Sequence, residues 1–397
     1  MMKTTQTLRR SLVVVFAILA LPAARTEVLI ATNRIVAAAD ASLDGEALVI
    51  DGATLTIAGG HRFAAVRLTR GGVLTHPPGA AGLNLRVAGD VTIEAGSAFA
   101  LEGRGYPLEG DRGPGTGVRA DWSGTGAGHG GTGGYSSTGV DGGVSYGSIL
   151  EPTLLGSQGG DSNGGPGSAG GGALRLIVDG ELKVEGRLTA DGAAASANNA
   201  GGGSGGSLWL TVGRLTGSGA ISANGGPGEW IDGGGGSGGR IAVYGNAEAF
   251  TGVVTAYGGG GSARGGAGTV YFEGGRDTVG DLRISNGADW GNVTRVDSPK
   301  PFRLHVGSRA VCHAEGPWIL DRLEVGENGV VVQRSGQNRL EVRVAGDLEV
   351  AAGGTIHADG RGYPAGDERG PGSGTRREWG GSGGSHAGWG GVSATGA

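Results

Sequence analysis

The residues with chemistry to offer are few, and they come in a fixed order. Arg104, Tyr106, Pro107, Arg112, Trp122 and His129 lie in a stretch where almost everything else is glycine or another small residue. The same series returns as Arg361, Tyr363, Pro364, Arg369, Trp379 and His386. Aromatic rings, guanidinium groups and an imidazole on an otherwise featureless segment are the parts of a sugar-binding or protein-binding face. The same side chains have a plainer use. A glycine-rich loop gives up much entropy when it orders, so Trp122 and Tyr106 would pin it to its neighbour while Arg104 and Arg112 satisfy backbone carbonyls. Anchoring is the stronger expectation of the two.

His129 has no second His, Cys or acidic residue at a ligand spacing, which favours a hydrogen-bonding histidine over a metal ligand. Asp141, Asp161, Asp179, Asp191 and Asp232 fall at glycine turns, so calcium is the one cation the chain could use, as a stabiliser of turns. The tandem GGxGxDxUx text of calcium-binding repeats is missing; GGDSNGGPG at 159–167 does not fit it. No other cofactor is expected. Acidic residues sit singly in turns such as Gly89-Asp90 and Asp191-Gly192, not as the convergent carboxylates of a glycosidase. The many G-x-G-x-x-G strings carry no weight in a chain with 92 glycines among 397 residues, and no helix follows them to hold a phosphate.

The elements that would position these residues are strands. Residues 174–192 read LRLIVDGELKVEGRLTADG, and 208–225, 240–258 and 342–360 share the shape: an alternating run, a glycine turn, and a second run closing on Ala-x-Gly. Alternation at period two gives strands with one face buried, so Leu176 and Val184 point inward while Arg175 and Lys183 point out. Each segment has the length of one coil of a right-handed parallel β-helix, or solenoid, with strands turning at Gly or Asp. The fold class expected is therefore all-β, a right-handed parallel β-helix with long glycine-rich inserts; a two-layer β-sandwich is the alternative. Glycine tracts at 164–172, 201–206, 233–239 and 265–268 leave the coils just before a strand. The longest insert, 103–173, has too few apolar side chains to bury a core. It is expected to lie over the coils or to stay loose.

Residues 85–134 align without a gap on 342–391, and 25 of the 50 positions are identical. A repeat of that length marks a duplicated module. The expected division is a leader at 1–25, a lead-in at 26–43, a first unit at 44–298 and a second at 299–397. The second copy stops inside the module, since Ala397 aligns with Val140. The coil at 342–360 thus lacks the equivalents of 174–192, and the stretch after Gly360 is expected to be disordered.

Lys3, Arg9 and Arg10, the apolar run Leu12 to Leu21 and Pro22-Ala23-Ala24 have the form of a secretory signal cut near Ala24. The apolar run is too short for a membrane span of about 20 residues, so no transmembrane span is expected after cleavage. Without the leader the chain carries 28 basic and 37 acidic residues, a net charge of −9. That sign argues against a nucleic-acid partner. Cys312 is the only cysteine, so no intrachain disulfide supports an exported fold.

The strings VLTHPPG, RGYP…GPG, GAGHGGTGG, GGGSGGSLWLTVGRLTGSGAISANGG and GGGGSGGRIAVYG resemble those of large glycine-rich, adhesin-like bacterial surface proteins. Similar text occurs in plant glycine-rich secreted proteins. The resemblance covers nearly all of the chain after the leader. It implies a β-helical exoprotein, extracellular or on the cell surface, with a structural or adhesive role, and it brings no catalytic residues. A carbohydrate-active enzyme, a polysaccharide lyase or hydrolase on the same fold, is the alternative.

Overall fold

A computed structural model describes residues 27–362 except 109, 276 and 335–338, together with 376, 377, 380 and 381. The leader at 1–25 lies outside the described residues, as do Tyr363, Arg369, Trp379, His386 and nearly all of the stretch expected to be disordered.

The described chain is all-β, and its sheets are mostly parallel. Two ladders grow together through the first two thirds. One runs through Ala47–Asp51, Ala65–Thr69, Val91–Ile93, Ala173–Val184, Ser207–Gly217, Arg240–Phe250 and Thr269–Gly274. The other runs through Thr54–Ile57, Val73–Thr75, Ala98–Ala100, Arg187–Thr189, Ala220–Ser222 and Val253–Thr255. From Ala47 to Thr255, most passes of the chain give one strand to each. Register is kept by like side chains: Leu74, Phe99, Leu188, Ile221 and Val254 stand in one column.

Alternation sets the buried face. Leu176, Val178, Leu182 and Val184 are at most 1% exposed, while Arg175 and Lys183 face solvent. Both ladders contribute to a single core that includes Leu182, Leu188, Leu215, Ile221 and Val243. The Ala-x-Gly corners form a column of their own. Asn224 N–H donates to Asp191 Oδ1 (2.6 Å), and Tyr257 N–H donates to Asn224 Oδ1 (2.8 Å). Each polar corner residue thereby satisfies the backbone of the next pass, as buried donors require.

Of the two expectations for the long insert, lying over the strands is the one met: Ile149 packs with Ala242 and Tyr271, and Tyr244 Oη donates to Leu150 O at 2.8 Å. With the shorter tracts it builds a layer of extended segments joined by backbone hydrogen bonds. The bonding has a period of three. In 201–206, Gly201 and Ser204 donate to Gly160 and Ser157, Gly202 and Gly205 to Gly234 and Ser237, and Gly203 and Gly206 to Ala193 and Ala190. In 233–239, Gly234 and Ser237 donate to Gly124 and Ala127, Gly235 and Gly238 to Ala263 and Gly266, and Gly236 and Gly239 to Gly226 and Ala223. Three residues per turn without internal hydrogen bonds is the geometry of a polyproline-II helix, which aims successive amides at three different neighbours. No side chain fits between segments so close. A Cβ on Gly126 would run into the Gly235 carbonyl, and one on Gly202 into that of Gly226. At 201–206, 233–239 and Gly126, glycine is needed for close approach, since none of these residues has a positive φ.

The direction of the chain reverses once along the first ladder, where Thr269–Gly274 pairs antiparallel with Asp277–Ser285. Parallel pairing then resumes through Arg303–Gly307, Arg322–Val325 and Leu348–Val350. A companion ladder runs through Val293–Val296, Val311–Ala314, Val330–Val332 and Thr355–His357. These strands enclose a second core around Leu282, Phe302, Leu304, Cys312, Trp318 and Leu323. Ile241, Val243 and Val270 belong to the first core, Ala242 and Tyr271 to the second. Successive side chains point to opposite faces, so the sheet here is a wall with a core on either side.

Candidate binding surface

The structure separates the residues of the repeated series. Arg104 is half-buried, and its carbonyl accepts Gly79 N–H at 3.4 Å. Tyr106 and Pro107 line a shallow cavity of about 420 Å³ with Asp111 and 153–155, and partial burial raises the Tyr106 phenol above its usual pKa. Arg112 Nη1 meets Asp161 Oδ2 at 2.6 Å, and its carbonyl accepts Gln158 N–H. Trp122 is 40% exposed. In the second copy, Arg361 is half-buried and its carbonyl faces Gln333 Nε2 at 3.4 Å. Tyr106, Asp111 and Arg112 thus lie close along the chain at one edge of the glycine layer, Trp122 is at its surface, and His129 is deep inside it.

His129 is fully enclosed. Its Nδ1 donates to Gly205 O at 2.7 Å, its backbone N–H donates to Ser237 Oγ at 2.8 Å, and its ring stacks on Tyr146 with centroids 4.4 Å apart. Burial, with the nearby Arg240 cation, pushes its pKa down to about 3. Arg240 is itself buried and is pushed down to about 10, so it remains charged at neutral pH. Its Nε donates to Tyr146 O at 2.8 Å and its Nη1 to Thr269 Oγ1 at 3.3 Å. Tyr146 donates its hydroxyl to Leu155 O at 2.5 Å and accepts from Ser157 Oγ at 2.8 Å; burial raises its pKa. A neutral imidazole beside a dry cation, closed off from solvent, is a fastening between the layer and the sheet. It cannot touch a ligand in solution.

Three of the five turn carboxylates have partners as well. Asp161 also accepts Gly167 N–H (3.0 Å), Asp179 pairs with Arg86 (3.1 Å), and Asp191 takes Ser222 Oγ (2.9 Å) besides Asn224 N–H. Protein donors therefore engage the Asp161, Asp179 and Asp191 carboxylates. No group of three or more His, Cys, Asp or Glu able to hold a metal occurs among the described residues.

Sequence reasoning did not find a groove of about 470 Å³ beside the free edge of Val253–Thr255. Val254, Phe250, Val270 and Phe272 form its apolar wall; Glu273, Asp281, Arg283 and Arg303 form its polar side. Glu273 and Asp281 are engaged. Arg303 holds Asp281 with contacts of 2.8 and 3.0 Å. Glu273 accepts Tyr271 Oη (2.6 Å) and Lys300 Nζ (2.5 Å), and these two outweigh the upward push of burial and hold its carboxyl below the usual pKa. An ionised, saturated carboxylate is a poor general acid. The groove forms where the first core ends and the reversed strands turn their outer face toward it. Only that reversal could have signalled it.

No protein-family model, curated protein or solved structure matches the chain. No helix among the described residues is long and apolar enough to cross a membrane.

Proposed function

We propose that this chain is a secreted or cell-surface repeat protein with a structural or adhesive role, its ladders being successive coils of a right-handed parallel β-helix. The observation that carries this reading is the column of like side chains from Leu74 to Val254, kept in register by the parallel ladder while the glycine layer braces one side. Stacks of this kind give stiffness and reach from nearest-neighbour contacts alone. The buried His129–Tyr146–Arg240 cluster supports it by fixing the layer to the sheet instead of opening to solvent. Export follows from the leader, and the adhesive role from the resemblance to glycine-rich surface proteins.

The enzyme alternative would use the groove acids, and it is tested directly. The purified chain is incubated with neutral and uronate polysaccharides, and reducing ends and unsaturated products are measured over time. No release is expected. Steady release abolished by Glu273→Gln or Asp281→Asn would replace the structural role with a catalytic one.

A further inference from the structure

We propose that the rim of the glycine layer carrying Trp122 and Trp230 binds a neutral polysaccharide of equatorially substituted pyranose rings. This rests on the adhesive reading and gives it a ligand and a place. Trp230 is 83% exposed and Ile231 67%; Tyr135 and Trp122 are 49% and 40%. Large apolar side chains held in water add nothing to folding, and a cluster of them marks a contact surface.

The cluster is held in place. Glu229 Oε2 accepts the N–H groups of Ile231 (3.2 Å) and Asp232 (3.1 Å), while Glu229 N–H donates to Ala200 O at 2.9 Å. Asp232 O accepts Ser137 N–H at 3.1 Å, which brings the loop after Tyr135 alongside the Trp230 loop. On the other side, Trp122 O accepts Asn163 N–H at 3.1 Å, Asn199 Nδ2 donates to Asn163 Oδ1 at 3.1 Å, and Gly124 N–H donates to Asn199 O at 2.8 Å. Aromatic rings and side-chain amides therefore meet on one ordered edge, so little ordering cost remains for a ligand.

The chemistry selects the ligand. A ring face carries negative potential and attracts the axial C–H groups of a flat sugar, while the amides reach its equatorial hydroxyls. Around the rim, Asp121, Glu229 and Asp232 outnumber Arg119, which disfavours uronate, sulfated or phosphate polymers.

The test is retention of the purified full chain on insoluble cellulose and chitin, with pectate and mixed phosphatidylcholine–phosphatidylglycerol vesicles in parallel. The chain should bind a neutral polymer. Trp230→Ala and Trp122→Ala should each weaken binding by at least about fivefold with unchanged far-ultraviolet circular dichroism. Trp290→Ala, at 50% exposure and on a separate loop held by Asn286 and Asn292, should bind like the parent. Unchanged binding in the two rim variants would overturn the site, as would retention only by pectate or vesicles. A parent chain that binds no neutral polymer also overturns it. The structural role stands or falls separately, on the sugar-release assay.

Discussion

His129 shows how far the environment of one side chain can move from what its type suggests. Its ring is held neutral with a pKa of about 3 by burial and by Arg240, against 6.5 for a free histidine. The unfolded chain therefore binds a proton between pH 6.5 and 3 that the folded chain refuses. The His129 contribution is complete above pH 6.5 and is lost as the pH falls below it. One pKa unit is worth about 1.4 kcal/mol, so by pH 5 the folded state should lose about 2 kcal/mol through this residue. Urea unfolding of the parent and of His129→Gln at pH 8 and pH 5 isolates that share. The variant should be weaker at pH 8, yet lose about 2 kcal/mol less than the parent on acidification. Equal losses would mean that His129 is not desolvated.

Among the elements, the glycine layer is stabilised by what its residues lack. A Cβ added at Gly234 would strike the Gly134 carbonyl and come within 2.6 Å of Gly126 N, in backbone that cannot swing aside like a side chain. Gly307, at the end of a strand, has open space around its Cβ position and no positive φ. Gly234→Ala should cost about 2 kcal/mol or more through overpacking and broken amide bonds. Gly307→Ala should stay within about 0.5 kcal/mol of the parent, because it only stiffens the unfolded chain. Thermal unfolding of both variants measures the difference. Equal midpoints would show that the layer yields, and that its hydrogen bonds are weaker than their geometry implies.

For the molecule as a whole, the shared wall gives two cores that touch but differ in composition. Trp318 is fully buried in the second, where its Nε1–H donates to Val296 O at 3.0 Å. Trp318→Ala removes about 3–5 kcal/mol of local packing. In a stack stabilised by neighbour contacts the damage should stay near its source. Hydrogen exchange should accelerate in Val293–Val296, Val311–Ala314 and Arg322–Val325 and remain slow in Ala173–Val184 and Ser207–Gly217. Uniform acceleration would show that the wall couples both cores into one unit.

Strand character and the buried face could be read locally. Leu174, Leu176 and Val178 alternate with Arg175, Ile177 and Asp179, and a period of two assigns faces without reference to the rest of the chain. The Ala-x-Gly corners were legible for the same reason. The residues of the repeated series were visible by type, but their fates were not. His129 is buried because Gly205 and Ser237, 76 and 108 positions away, come to it; Trp122 stays outside because its own loop ends at the rim. The period-three bonding of 201–206 and 233–239 left only GGGSGG and GGGGSGG in the text, since a missing side chain does not say which carbonyl lies opposite. The reversal at 269–285 has no apolar signature, because parallel and antiparallel strands bury the same alternate residues. Sequence determined which residues face inward along each strand; tertiary structure decided which backbones meet, because hydrogen-bond partners and close approach are set by segments far apart in the chain.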